Sequence, residues 1–400
     1  MNALRRALGS GVEAAGRRLG TGEPGVLPVV VGVLVIWSVF QGLNGNFLAP
    51  RNLSNLGVDI VGPGMIAVGV VFVLLIGEID LSVGSVSGLA AALFAVLSVR
   101  HGVAEWLAVA AAVLCGAAIG ALHGLLVARV GVPAFAVTLA GLLGWNGLML
   151  YVLGAAGTVN LDEESLLGRL TGHYFHEVAA AYGLAAAGSV LYFLVSHRDR
   201  RRRRAAGMPH RPLTRIAVRT GAVALVAFLA AHVLNRFQGL PLALLAFLLV
   251  VGGLDLVLRR TRYGRKVYAL GGGGGEPARR AGIDVVRVRV SVFALSGTMA
   301  AVGGLFLASR ITSVSQTSGS SLLLMNVIAA AVIGGTSLFG GRGTTWSALL
   351  GMLVIQSIAS GMSLLGIEAA VQFTVTGGVL LAAVVVDTVA RRIRREHGRA

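Results

Sequence analysis

Gly77-Glu78-Ile79-Asp80-Leu81-Ser82-Val83-Gly84-Ser85 is the stretch on which the fold turns. Val58 to Ile76, on one side, is almost wholly apolar, and so is Val83 to Val99 on the other. Each flank is suited to hydrocarbon, yet two carboxylates and two serines lie between them. A carboxylate at the centre of a membrane span costs about 2.5–3.5 kcal/mol on insertion scales, which makes Glu78 and Asp80 candidate functional groups. The glycines let the backbone turn and pack closely, so a broken helix is expected here.

The same alternation of apolar run and polar break continues in both directions. Of the 400 residues, 56% are hydrophobic and 13% charged, against about 25% charged in a soluble domain. Apolar segments fall near 26–43, 58–76, 83–99, 104–127, 133–153, 178–195, 216–234, 240–258, 288–308, 322–339, 345–364 and 369–386. They predict an all-α polytopic transmembrane bundle of about 12 spans, read as 10 core spans plus an extra pair. The organisation is then a cytoplasmic segment 1–25, a membrane domain 26–388 with basic loops at 197–217 and 259–287, and a basic tail 389–400.

A net charge of +17 first raises nucleic acid as a partner. Its distribution argues otherwise. With both termini in the cytoplasm and strict alternation, 29 of the 34 basic residues fall inside and 5 outside. That asymmetry is the positive-inside pattern, so the charge reflects topology and lipid contact, and nucleic acid is excluded as a partner. The single cysteine, Cys115, sits in an apolar run, so no intrachain disulfide forms, and nothing reads as a metal site.

No Walker A sequence is present, because the sole lysine, Lys266, lacks the preceding glycine spacing. No Ser/His/Asp set or His-Glu-x-x-His appears either. Few polar residues lie within spans, mainly Glu78, Asp80, Asn146, Asn326, Gln356 and Gln372. So sparse a set suits passage of a neutral polar solute better than covalent chemistry. Gly77, Glu78, Asp80, Ser82, Asn146 and Asn326 are the candidates for a pathway or gate, with interhelical hydrogen bonding as the alternative for each. In the loop 259–287, Gly271 to Gly275 read as a flexible lead. Glu276 and Pro277 suit a first helical turn, Ala278, Arg279, Arg280 and Ala281 continue it, and Gly282 before Ile283 can end it. A short helix on the cytoplasmic face is suited to docking a partner.

Four motifs resemble one family, the bacterial ABC sugar importer permeases of the ribose, galactose and xylose type. The opening stretch is similar to that family's Gly-Gly-Ile-Asp-Leu-Ser-Val-Gly-Ser, with Glu78 in place of a glycine. Val132-Pro133-Ala134-Phe135-Ala136-Val137-Thr138-Leu139-Ala140-Gly141 is similar to its Val-Pro-x-Phe-x-x-Thr-Leu-x-Gly. Arg262 to Gly271, continuing to Ile283, resembles its coupling loop, without the usual asparagine and one glycine longer. Gly334-Gly335-Thr336-Ser337-Leu338-Phe339-Gly340-Gly341-Arg342-Gly343-Thr344 resembles its late glycine motif. The stretch from His173 to Leu258 is similar to the longer, xylose-type members.

This resemblance implies a multi-pass subunit of the bacterial inner membrane that imports a monosaccharide, a xylose-like pentose first. It implies a second permease copy, a periplasmic or lipoprotein sugar-binding protein, and a separate ATPase that holds ATP and Mg. The chain itself then carries no cofactor and is not an enzyme. Glu276 to Ile283 would dock on the ATPase. The alternative is an ion-coupled secondary transporter using Asp80 or Glu78, and a third possibility is a non-transporting assembly component. By alternation Gly77–Ser85 faces the cytoplasm, which favours a partly wetted turn or inner gate over a sugar-binding carboxylate. Gly77–Gly84 and Gly334–Gly341 share spacing and three residues, a hint of internal repetition.

Overall fold

The computed structural model describes residues 27–396, so the segment 1–25 and the end of the basic tail lie outside the described residues. Of the described residues, 76% are helical. Helix α1 (Leu27–Leu43) leads to α2 (Pro50–Asp59) and α3 (Val61–Leu75), which are bent by 41° where they join. Then come α4 (Val83–Ala95), α5 (Glu105–Leu125) and α6 (Ala134–Leu153). After the short α7 (Gly168–Gly172) run α8 (Val178–Ala205), α9 (Leu213–Asn235) and α10 (Leu242–Arg260). Two short helices, α11 (Arg262–Gly273) and α12 (Gly275–Arg280), precede the long α13 (Val285–Ile311). The chain closes with α14 (Ser321–Ile333), α15 (Trp346–Leu364) and α16 (Ala369–Glu396).

Each apolar segment of the sequence contains a helix. Among the described residues, eight helices are long and apolar enough to cross a membrane, or nine if α2 and α3 form one bent span. Pro28–Leu43, Ser321–Ile333 and Ala369–Ala382 are shorter apolar helices. Helix α14, with 13 residues, is about 20 Å long and falls short of a 30 Å hydrocarbon core.

Two sequence expectations need correction. Helices α8 and α16 do not stop where hydropathy falls, near Val195 and Val386, but run on to Ala205 and Glu396. Neither extension contains Gly or Pro, and helical hydrogen bonding is indifferent to the polarity of the side chains. The chain is also not purely α. Strand β1 (Thr158–Asn160) pairs antiparallel with β4 (Ser313–Ser315), and β2 (Tyr174–Phe175) with β3 (Leu240–Pro241). These ties join loops far apart in sequence, which no local pattern announces. Helix α10 is part of the bundle: Phe247 and Val251 are fully buried, and the Phe247 ring packs against Gly64 of α3.

Helix α13 is the centre of the bundle, with α3, α4 and α5 packed around it. Gly116, Gly120 and Gly124 of α5 recur every four residues and meet Gly297, Phe293 and Val290 of α13 backbone to backbone. Without side chains between them the two helices approach closely, the small-residue packing that substitutes for a hydrophobic driving force in lipid. At the other extreme, α8 and α9 form a hairpin that packs chiefly on itself, and only 17% and 11% of their apolar windows are buried, against 61% for α13.

Candidate functional site

Between α3 and α4 the chain is irregular, and Asp80 is buried with 3% exposure. Ser82 donates from its backbone N–H and its hydroxyl to Asp80 Oδ1 at 3.0 and 2.6 Å. The backbone bond closes an Asx turn, and the carboxylate lies beside the N-terminus of α4, where an anion is favoured. Ser296 of α13 donates to Asp80 Oδ2 at 3.0 Å. Ser82 Oγ also lies 3.3 Å from His123 Nδ1, and Trp145 Nε1–H donates to His123 Nε2 at 3.0 Å. Since indole nitrogen only donates, Nε2 accepts, and a neutral His123 carries its proton on Nδ1 and donates to Ser82. Four helices are thereby tied to one carboxylate whose two oxygens are both occupied.

Depth separates the two acidic residues. Ser296 lies eleven residues into α13, about 16 Å from its start, whereas the partner of Glu78 lies about 6 Å from that start. Glu78 Oε1 pairs with Arg289 at 3.1 Å, and both side chains are partly exposed. The expectation of wetted carboxylates therefore applies to Glu78 and not to Asp80.

Burial, the larger effect, raises the Glu78 carboxyl above its ordinary value, and Arg289 pulls it partly back. An acid whose pKa is raised on folding weakens the fold once pH exceeds its unfolded value. Glu78→Gln is expected to raise Tm at neutral pH, with the gain vanishing as pH falls below about 4. A gain that is the same at both pH values, read by thermal unfolding in detergent, would contradict this account.

A second junction lies below Asp80. The Gly341 N–H donates to the Leu75 carbonyl at 2.9 Å, so the end of α3 is bonded to the loop after α14. Gly271 of α11 sits in the same place, where a methyl group would overlap Leu75 O and come within 2.7 Å of Gly341 N. Gly340 in turn abuts the backbone of Gly77 and Gly271. Tyr268, on the same helix, donates to Gly343 O at 2.8 Å. The two glycine motifs thus meet each other, and α11 is wedged against both. Such contact is compatible with the repeat hinted at by their spacing.

The polar segment after α10 differs from the expected single helix with a flexible lead. Gly271 to Gly273 are helical, and the break falls at Gly274 with φ +81°. Val267 and Leu270, three residues apart, are buried and hold α11 to the body. Helix α12 ends at Arg280 in a Schellman turn: Ile283 N–H donates to Ala278 O at 3.0 Å, Gly282 N–H to Arg279 O at 2.9 Å, and Gly282 takes φ +75°. Ala278 is buried and Ile283 half-buried, while Glu276, Pro277, Arg279, Arg280 and Ala281 are exposed. The Glu276–Arg279 pair, at 2.9 Å and largely exposed, adds little stability. What α12 presents is a charged knob with one apolar side fastened down.

The remaining candidates do not converge. Asn146 is exposed on α6 and Asn326 half-buried on α14. A cavity of about 180 Å³ lies under the loop 313–320, bordered by Ser87, Gly88, Gly304, Ser318 and Gly319. Another, of about 390 Å³, is bordered by Ser98, Glu105, Asn160 and Asp162. None of Gly77, Glu78, Asp80, Ser82, Asn146 and Asn326 lines either one. Sequence reasoning missed His123, Trp145, Ser296 and Gly271. A lone histidine between the second and third members of a glycine stripe was a signal for the first, but Ser296 resembled any serine of an apolar helix.

The buried Asp80, the two touching glycine loops and the projecting charged helix α12 are packed in sequence from the bundle interior to its edge. The branched-chain amino acid transport system / permease component family matches residues 52–384. The xylose transport system permease protein of Escherichia coli strain K12 is 35% identical over 369 residues, 92% of each chain. The ribose import permease protein of Bacillus subtilis strain 168 is 31% identical over 89% of this chain and 91% of its own. The L-arabinose ABC transporter permease protein of Azospirillum brasilense is 30% identical over 92% and 88%. No solved structure matches. With glycine loops and charged helix all inside the matched region, this chain belongs to that permease-component family.

Proposed function

We infer that the chain is the membrane subunit of an ATP-driven importer of a monosaccharide, with a xylose-like pentose as the first candidate. Relatives named for xylose, ribose and L-arabinose, each aligned over nearly the whole chain, support the sugar class. The observation that carries the mechanism is the α11–α12 segment. Its knob is free to dock on a separate ATPase, which binds ATP and Mg, and its root is wedged between the loops that follow α3 and α14. Closure of the ATPase would move α12, and α11 would pass that movement to both glycine motifs. A sugar-binding protein delivers the substrate, and a second copy of the chain completes the pathway.

Twelve spans with both termini cytoplasmic remain the preferred topology, with the bent α2–α3 pair and the three shorter helices completing the count, α14 crossing together with the loop that follows it. In that arrangement both glycine motifs and α12 face one side and both strand pairs the other, in the membrane that encloses a bacterial cytoplasm. The test is uptake of labelled pentose into proteoliposomes that hold the ATPase and are supplied with binding protein. Gly282→Val forces a β-branched residue into left-handed backbone, at a cost of about 1–3 kcal/mol confined to the turn. Its expected outcome is continued ATP hydrolysis with at least a severalfold loss of uptake. Unchanged uptake per ATP would remove α12 from the coupling role. An ion-coupled transporter would instead take up sugar on a pH gradient without ATP, and the three hydrogen bonds that hold both Asp80 oxygens in place disfavour it.

A further inference from the structure

We propose that the inner end of the α8–α9 hairpin is a docking surface for anionic lipid headgroups. The site lies outside the importer machinery described above, but it rests on the topology proposed there, which sets this end in the inner headgroup layer.

The apolar part of α8, Val178 to Val195, is about 27 Å long and fills the hydrocarbon core by itself. The helix then continues to Ala205 and carries its last ten residues, about 15 Å, into the headgroup layer and beyond. Those residues include Arg198 and the unbroken run Arg200–Arg204. Arg211, Arg215 and Arg219 follow on the return strand of the hairpin, the last two one turn apart on α9. Against these nine arginines stands one acidic residue, Asp199, whose 3.3 Å pair with Arg203 is half-exposed and leaves most of the charge uncompensated.

Geometry separates a lipid from a protein as occupant. Five consecutive helical residues advance by about 100° each and point in every direction around α8, whereas a docked protein engages one face. A mobile layer of headgroups reaches all faces. The hairpin packs on the body at its other end, through α2 and β3, and the buried residues of α8 all lie in its first twelve positions. A second observation concerns Arg200 itself. Its Nε has no hydrogen-bond partner among the described residues, and the residue as a whole is half-exposed, so a change of rotamer brings the guanidinium to an external acceptor. Guanidinium Nε can only donate, so the group it lacks is an acceptor. Phosphate oxygens are suited to it, since guanidinium binds them in a planar, bidentate manner.

The probes are phosphatidylglycerol and phosphatidylcholine. Full-length protein reconstituted with an equal mixture is stripped with detergent, and retained lipid is counted by mass spectrometry of the intact protein. Wild type should keep phosphatidylglycerol selectively and lose it as salt rises. Replacing Arg200–Arg204 by Gln should cut retention about tenfold or more, while replacement by Lys, which keeps the charge but not the planar fork, should give an intermediate value. Equal retention by the Gln variant overturns the proposal. So does loss of ATPase co-purification with lipid retention unchanged, which would assign the surface to a protein. His210→Cys in a Cys115→Ser background, labelled in sealed vesicles of known orientation, reads the topology separately. Labelling from the outer face overturns the inner-leaflet placement whatever the lipid count.

Discussion

Gly271→Ala is expected to destabilise the protein by about 3 kcal/mol, the upper end of the range for overpacking a core. The added methyl has no route of relief. It meets the Leu75 carbonyl on one side and Gly341 N on the other. These two groups are hydrogen-bonded to each other at 2.9 Å, so neither yields without breaking the bond between the α3 end and the late glycine loop. The adjoining Gly272 has nothing within 4 Å of a would-be Cβ, and as a helical glycine in the last turn of α11 its change to Ala should stabilise by up to about 1 kcal/mol. Two identical substitutions one residue apart should therefore shift Tm in opposite directions in detergent. If both shift it upward, α11 is not wedged as described. Where Gly271→Ala protein survives, uptake per ATP should fall, and Tyr268→Phe, which removes only the bond to Gly343, should lower it in a protein of near-normal Tm.

Asp80→Ala is the second large effect, about 3 kcal/mol of lost stability. Hydrogen bonds to a charged group contribute about 1.5–3 kcal/mol each, and the truncation leaves buried donors of Ser82 and Ser296 without an acceptor. Asp80→Asn should cost much less. One amide oxygen can still accept from Ser82, and the Ser296 hydroxyl can rotate to accept from the new NH₂. The discriminating measurement pairs Tm with sugar competition in uptake. Both variants should lose stability in that order while the ranking of competing sugars stays the same. An Asp80→Asn protein of normal Tm with an altered ranking would make Asp80 a ligand of the solute and not an anchor.

The contrast between Glu78 and Asp80 shows where local reading stops. In sequence they are two carboxylates two residues apart in one polar break. In the fold one reaches Arg289 near the start of α13 and the other Ser296 deep in the bundle. Nothing local distinguishes them, because the difference lies in a helix more than 200 positions away. The coupling segment divides similarly. Glycine-rich composition read as flexibility, yet Gly271 to Gly273 are helical because Val267 and Leu270 anchor them and Gly271 alone fits the contact.

What the sequence by itself determined is set by short-range physics. Apolar runs, the asymmetry of arginines and the left-handed glycine at 282 depend on residues near in sequence, so membrane class, segment positions and the end of α12 could be read from it. Only the tertiary structure decided which breaks touch, which carboxylate is buried, where α8 and α16 end, and that the arginine hairpin stands apart from the bundle. Those outcomes depend on which surfaces pack together, and packing is a property of the assembled chain that no window of neighbouring residues contains.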